Sequence, residues 1–294
     1  MAKKKNKYAG GVYEEPYDPT GISRYLGLGR PFDFSDANMR LAGILAVAGG
    51  AAVMVWSSMN SVPGSDAAMS ALGMALGVIL SFMIGQELDP DRPFGGVIGG
   101  LLSAAAYFIT GESNVVALLW LLFIMRMLTR TSGDRHRVGD NILIIGLSVW
   151  LGKDGSWMFP VITGMAYIVE SQIQWGYFRS LYLAAIAFCG AIIAEKLPQD
   201  NSLTFTSIYM MAFVFILFLP ELRVAVLTKF RGDKNNKQIS PRRLQAAQGM
   251  IMLIIISLAL MHGTIMVNSL MPALMACLGC GIYLLVCLIR RKVH

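Results

Sequence analysis

The chain has 294 residues, 55% of them hydrophobic and 15% charged, with a mean hydropathy of +0.57. A soluble domain of this length carries about 25% charged residues, so a soluble enzyme or binding domain is excluded and a polytopic membrane protein is expected. The net charge of +7 finds its first explanation in membrane orientation, and nucleic acid is not an expected partner.

Residues 1–39 read as a polar cytoplasmic tail. "MAKKKNKYAGG" lacks the apolar core of a signal peptide. "YAGGVYEEPYDPTG" mixes acids, Gly and Pro, as a loosely folded segment does. "FDFSDANMR" reads as a short amphipathic lead-in helix with Ser35 or Asp36 as its N-cap.

Apolar runs follow over residues 40–58, 68–86, 95–110, 114–129, 141–152, 157–171, 179–196, 203–222, 244–262 and 267–289. They are too unbroken for the alternation of a barrel, and backbone groups in lipid must be satisfied internally. The expected fold is therefore an all-α polytopic integral membrane bundle of about ten transmembrane helices arranged as five hairpins. The joining outer loops are short: "NSVPGSD", "GES", "GKDGS", "KLPQDNS" and "GTIMVN". The middle three hairpins recur about every 40 residues with poor residue identity, which reads as an architectural repeat or, more plainly, as the periodicity any hairpin bundle shows. The basic stretch 223–243, with "TKFRGDKNNKQISPRR", divides an eight-helix unit (40–222) from a terminal hairpin with a basic tail (244–294).

With the N-terminus in the cytoplasm and alternating spans, all of the 25 lysines and arginines except Lys153 and Lys196 fall inside. That is the positive-inside pattern, with both termini cytoplasmic in a plasma or inner cell membrane. Spans 3 to 6 are short against the roughly 20 residues a crossing needs. Shielding by neighbouring helices, a thinned rim or a turn part-way through the membrane all accommodate such segments, and so does extension of the helices through their polar flanks.

The turn after span 2, "GQELDPDRPFGG", interrupts the apolar pattern. Pro90 and Pro93 stop a regular helix. Glu87, Asp89 and Asp91 alternate and project to one side of an extended stretch. Asp89 and Asp91 then suit a divalent cation such as Mg²⁺, and through it a phosphate-bearing substrate. The plain reading is a rigid charged turn at the interface. In the 4–5 loop, "IMRMLTRTSGDRHRVGDN", Arg126 and Arg130 share a helical face. With Arg135, His136 and Arg137 they suit phosphate or anionic lipid headgroups of the bilayer; here too orientation alone accounts for the charge.

Gly95, Gly96, Gly99 and Gly100 form two overlapping GxxxG pairs, which predict close helix packing, and Gly73 with Gly77 repeats the spacing. Glu170 and Glu195 are ionisable residues at span ends, Pro160 and Pro272 are expected kinks, and the four cysteines read as packing residues. Cys277 and Cys280 share a helix face but lack further metal ligands; His262 and His294 are isolated.

In outline, ten short-looped helices with both termini inside are similar to the drug/metabolite transporters, by architecture and without a shared motif. "DPDRP" faintly resembles the end of the aspartate-rich loop of UbiA-type prenyltransferases, whose upstream Asn-Asp and second aspartate motif are absent here. Three functions fit. A small-solute transporter leads, followed by a membrane enzyme acting on a lipid or phosphate-bearing substrate, and a non-catalytic subunit of a larger assembly. A homo-oligomer or membrane complex is compatible with each.

Overall fold

The computed structural model describes residues 25–30, 33–194 and 202–290. Outside them lie Lys3, Lys4, Lys5, Lys7 and Arg24 of the tail, "YAGGVYEEPYDPTG", Glu195, Lys196 and most of the loop they begin, and Arg291, Lys292 and His294. Among the described residues the fold is all helical, with no named strand: α1 (Ala37–Met59), α2 (Gly64–Leu88), α3 (Phe94–Thr110), α4 (Val115–Thr129), α5 (Val138–Asp154), α6 (Met158–Gln172), α7 (Ser180–Ala194), α8 (Phe205–Val224), α9 (Pro241–Ser269) and α10 (Met271–Ile289). A 3-10 turn, Ala225–Leu227, extends α8.

Five of these, α1, α2, α8 with its 3-10 extension, α9 and α10, are long and apolar enough to cross a membrane. Large apolar side chains cover the outside of the bundle, among them Val47 and Trp56 on α1, Ile192 and Ile193 on α7, and Phe205 and Tyr209 on α8. An exterior of this kind points to a membrane location.

The short helices are shielded. At 15 residues, α4 is about 22 Å long, well under the roughly 30 Å of hydrocarbon. It is the buried centre: Leu118, Trp120, Leu121, Ile124 and Met125 are fully buried, and α2, α5, α6 and α9 pack around it. The Trp120 indole N–H donates to Thr163 Oγ1 at 2.9 Å, satisfying the one polar group that this side chain brings into the core.

Local chemistry sets the helix ends. Asp36 accepts from the Asn38 amide and caps α1, so the lead-in segment is the start of α1 itself. Asn114 caps α4 through the Ala117 amide at 3.0 Å, and Thr204 caps α8 through Ser207. The expected kinks at Pro160 and Pro272 do not form, because each proline lies in a first turn, where its missing N–H costs nothing. The expected loop "GTIMVN" is helical instead. α9 continues to Ser269 and breaks only at Gly263, whose φ of 65° and ψ of −153° suit glycine.

The two GxxxG pairs serve different partners. A Cβ on Gly95 or Gly99 would meet α10 backbone, at Cys280 Cα 3.0 Å and Ala276 Cα 2.8 Å. On Gly96 or Gly100 it would meet α2 carbonyls, at Phe82 O 2.7 Å and Val78 O 3.3 Å. From the other side, Gly279 would strike Gly99 N at 2.3 Å. Thus α3 is wedged between α2 and α10, while its far face, with Leu101 and Ile109, stays exposed. Gly73 and Gly77 make only ordinary contacts with Ser113 and Pro272. Buried Cys277 and Cys280 are free thiols in this packing. Gly99→Ala and Gly279→Ala should each lower the stability of the purified protein by roughly 1–3 kcal/mol through overpacking. Gly146→Ala, with nothing within 4 Å, should leave it unchanged or raise it; thermal unfolding in detergent separates the two outcomes.

Candidate functional site

The C-terminal ends of α2, α4, α6 and α8 meet the N-terminal end of α9, and the charge of the chain concentrates there. Because the proline-bearing turn stops α2 at Leu88, Glu87 sits in its last turn and faces inward, fully buried. It accepts from Arg126 Nε at 3.1 Å, Thr129 Oγ1 at 3.1 Å, Arg30 Nη1 at 3.3 Å and the Thr131 hydroxyl. Arg30 in turn pairs with Asp233 at 2.6 Å.

A second centre forms on Glu170, also fully buried, in the last turn of α6. It accepts from Arg130, from Ser180 Oγ at 2.7 Å, from Arg243 Nη2 at 3.2 Å and from the Tyr177 amide at 3.3 Å. Arg243 also donates to the carbonyls of Leu128 at 2.9 Å, Met127 at 3.2 Å and Gln174 at 3.1 Å. The first two are carbonyls of the last turn of α4, which have no partner within the helix. One guanidinium thereby closes a helix end and neutralises a carboxylate.

A third centre is Arg92, which bridges Asp89 and buried Glu221 at 2.7 Å each. Burial holds the Asp89 and Asp233 carboxyls above the usual carboxylate range, against the pull of Arg92 and Arg30. Burial works against both guanidinium groups too, but their carboxylate partners outweigh it and raise them.

The structure thus brings Glu87 and Arg126 together and joins the 2–3 turn to the 4–5 loop. Arg130 goes instead to Glu170, Asp89 to Arg92, and Asp91 to the Lys229 amide at 3.1 Å. Asp89 and Asp91 therefore serve separate partners, and among the described residues no three His, Cys, Asp or Glu side chains are grouped to hold a metal ion. The basic 8–9 loop folds over the 4–5 loop, with the Asp233 and Lys234 amides on the carbonyls of Thr131 and Ser132 at 3.1 Å each.

Sequence reading counted Arg30, Arg92 and Arg243 only as orientation charges and passed over Glu221. The signal it could have used is positional: Glu87, Glu170 and Glu221 each stand in the closing turns of an even-numbered helix, at the end where the arginines gather.

The opposite end is built differently. A cleft of about 610 Å³ opens there, lined by Gly73, Leu76, Tyr107, Ser113, Asn114 and Ser269 among others. Single neutral hydrogen bonds hold its walls: Tyr107 Oη to Ser70 O at 2.9 Å, Ser113 Oγ to Gly73 O at 3.0 Å, and Asn114 N to Ser269 O at 3.0 Å.

No family model matches the chain, and no curated protein or solved structure matches it.

Removing one partner of a buried ion pair strands the other. Glu170→Gln leaves Arg130 and Arg243 facing each other without a carboxylate and should cost about 3–5 kcal/mol. Asp91→Asn, at an exposed turn, should change stability by about 0–1 kcal/mol. Denaturation of the two purified variants beside the wild type checks the contrast.

Proposed function

We propose that the protein is a small-solute carrier of the cell membrane, its ten helices spanning as five hairpins with both termini cytoplasmic. The observation that carries the reading is the asymmetry between the two ends. At the basic end, buried ion pairs tie α2, α4, α6, α8 and α9 together. At the other end a cleft enters between α2, α3 and α4 behind single neutral hydrogen bonds. A carrier alternates between states closed at one end and open at the other, and a polar lock opposite an open cleft is the form one such state takes. The positive-inside pattern of the sequence makes the locked end cytoplasmic. Glu87, Arg126 and Arg130 are then parts of the gate, with Asp89 and Asp91 at its margin, and solute enters from the cleft.

Two measurements test this. With the four native cysteines replaced, Cys at Ser65 should label from outside in intact cells and Cys at Lys234 only after permeabilisation; labelling of Lys234→Cys from outside contradicts the orientation. Proteoliposomes offered a mixture of small solutes should show protein-dependent uptake of at least one by mass spectrometry. That uptake should fall at least tenfold in a folded Arg126→Gln variant. A mixture that stays wholly outside loaded vesicles, with the protein intact, counts against a carrier.

A further inference from the structure

A second cleft, of about 680 Å³, lies at the basic end between the start of α5 and the segment that leads into α7. His136, Arg137, Asn141, Tyr177, Arg179 and Tyr182 line it. It borders the Glu170 centre, from which His136 Nε2 lies 3.7 Å away, but it opens outward from the ion pairs and the proposed gate does not use it.

Its charge is unbalanced. Arg135 and Arg179 both lie against the ring of Tyr177, at 5.8 and 5.9 Å from its centroid. Among the described residues neither has a carboxylate within ion-pair distance, whereas Arg137 is held by Asp134 at 2.8 Å. Stacking on an aromatic face fixes the plane of a guanidinium and leaves its N–H edge for a planar or tetrahedral oxyanion. Glu170, inward of the cleft, is already taken by Arg130 and Arg243, and Asp140 by the Gly27, Leu28 and Arg137 amides.

The cleft also contains a buried polar atom without a partner among the described residues. His136 is buried, and its side chain is wholly so. Its Nε2 lies 3.1 Å from Ser180 Oγ and 3.7 Å from Glu170 Oε2, and among the described residues its Nδ1 has no hydrogen-bond partner. A buried ring nitrogen left unpaired on the wall of an arginine-flanked cleft matches a ligand oxygen.

The rim identifies the source of that oxygen. Val138, Ile142, Phe178 and Tyr182 are each 66–70% exposed around the mouth, an apolar and aromatic collar at the level where guanidinium groups gather. Lipid interfaces are bordered in this way, with rings and acyl chains on one side and headgroup charge on the other. A soluble ester would leave this collar in water.

We propose that this cleft binds the phosphate of an anionic phospholipid, with Arg135, Arg179 and His136 as its polar contacts and the collar receiving the acyl chains. The 4–5 loop alone supplies Arg135 and His136; Tyr177 and Arg179 come from the 6–7 connection and Tyr182 from the first turn of α7.

The full chain, delipidated in a neutral detergent, is titrated with phosphatidylglycerol, phosphatidylcholine and glycerol phosphate, with bound molecules read by native mass spectrometry. Phosphatidylglycerol should bind saturably and at least tenfold more tightly than phosphatidylcholine. The double variant Arg135→Gln/Arg179→Gln, altered only at exposed positions, should fold normally and lose at least tenfold in phosphatidylglycerol affinity. Equal binding of the two lipids, or wild-type affinity in the double variant, overturns the proposal. Glycerol phosphate binding as tightly as phosphatidylglycerol, with the same loss in the variant, keeps the phosphate site and overturns its lipid source.

Discussion

A carboxylate taken out of water must be met by a cation and a shell of donors, or the fold does not form. This constraint organises the basic end. Glu87, Glu170 and Glu221 leave water at the ends of three different helices, and each draws an arginine from elsewhere in the chain. Arg243 makes the dependence plainest. It reaches from the start of α9 to Glu170 on α6 and to the last carbonyls of α4. Without it, the short central helix would end in unpaired carbonyls inside the bundle. The shortness of α4 and the buried charge are therefore one feature: a helix too short to reach an aqueous surface has its end solvated by guanidinium.

The two kinds of packing divide the molecule. Between α2, α3 and α10, backbones touch at glycines, a contact with no room to shift without clashing. Across the basic end the contacts are ion pairs, and these behave differently. Desolvation nearly cancels their attraction, so opening that end to water returns hydration for every pair it breaks. A glycine-packed body with a charged, rehydratable closure can exist in two states of similar free energy, as a carrier requires. Hydrogen bonds at the opposite cleft are few and neutral, and each contributes only about 0.5–1.5 kcal/mol.

Hydropathy placed all ten helices within a few residues, because lipid leaves the backbone no other option. It ended span 9 at residue 262, beside Gly263, where the chain leaves helical geometry, but it read the helical residues that follow as a loop. The spacing of Gly95, Gly96, Gly99 and Gly100 told that α3 packs closely, but not that alternate pairs face different neighbours, since the α10 residues they meet, Cys280 and Ala276, come from the far end of the chain. The site was half legible. "GQELDPDRP" announced charge at a helix end, and Arg126 was named with it. The pairings of Arg30 with Glu87 and of Arg92 with Glu221 could not be read, because contacts across 57 and 129 positions have no local periodicity; only the link from Arg92 to Asp89 is local.

A carrier of this design needs its ion pairs to close one end while the cleft stays open at the other. Distances between spin labels measure this directly in reconstituted protein, with one pair at Gln172 and Lys229 on the basic end and a second at Met69 and Glu112 beside the cleft. The wild type should give one distribution at each pair. Weakening the lock by Glu87→Gln should add a longer distance on the basic end and, in the same sample, a shorter one beside the cleft. If a folded Glu87→Gln protein keeps both wild-type distributions, or if one end changes without the other, the ion pairs serve the fold alone and the carrier reading fails.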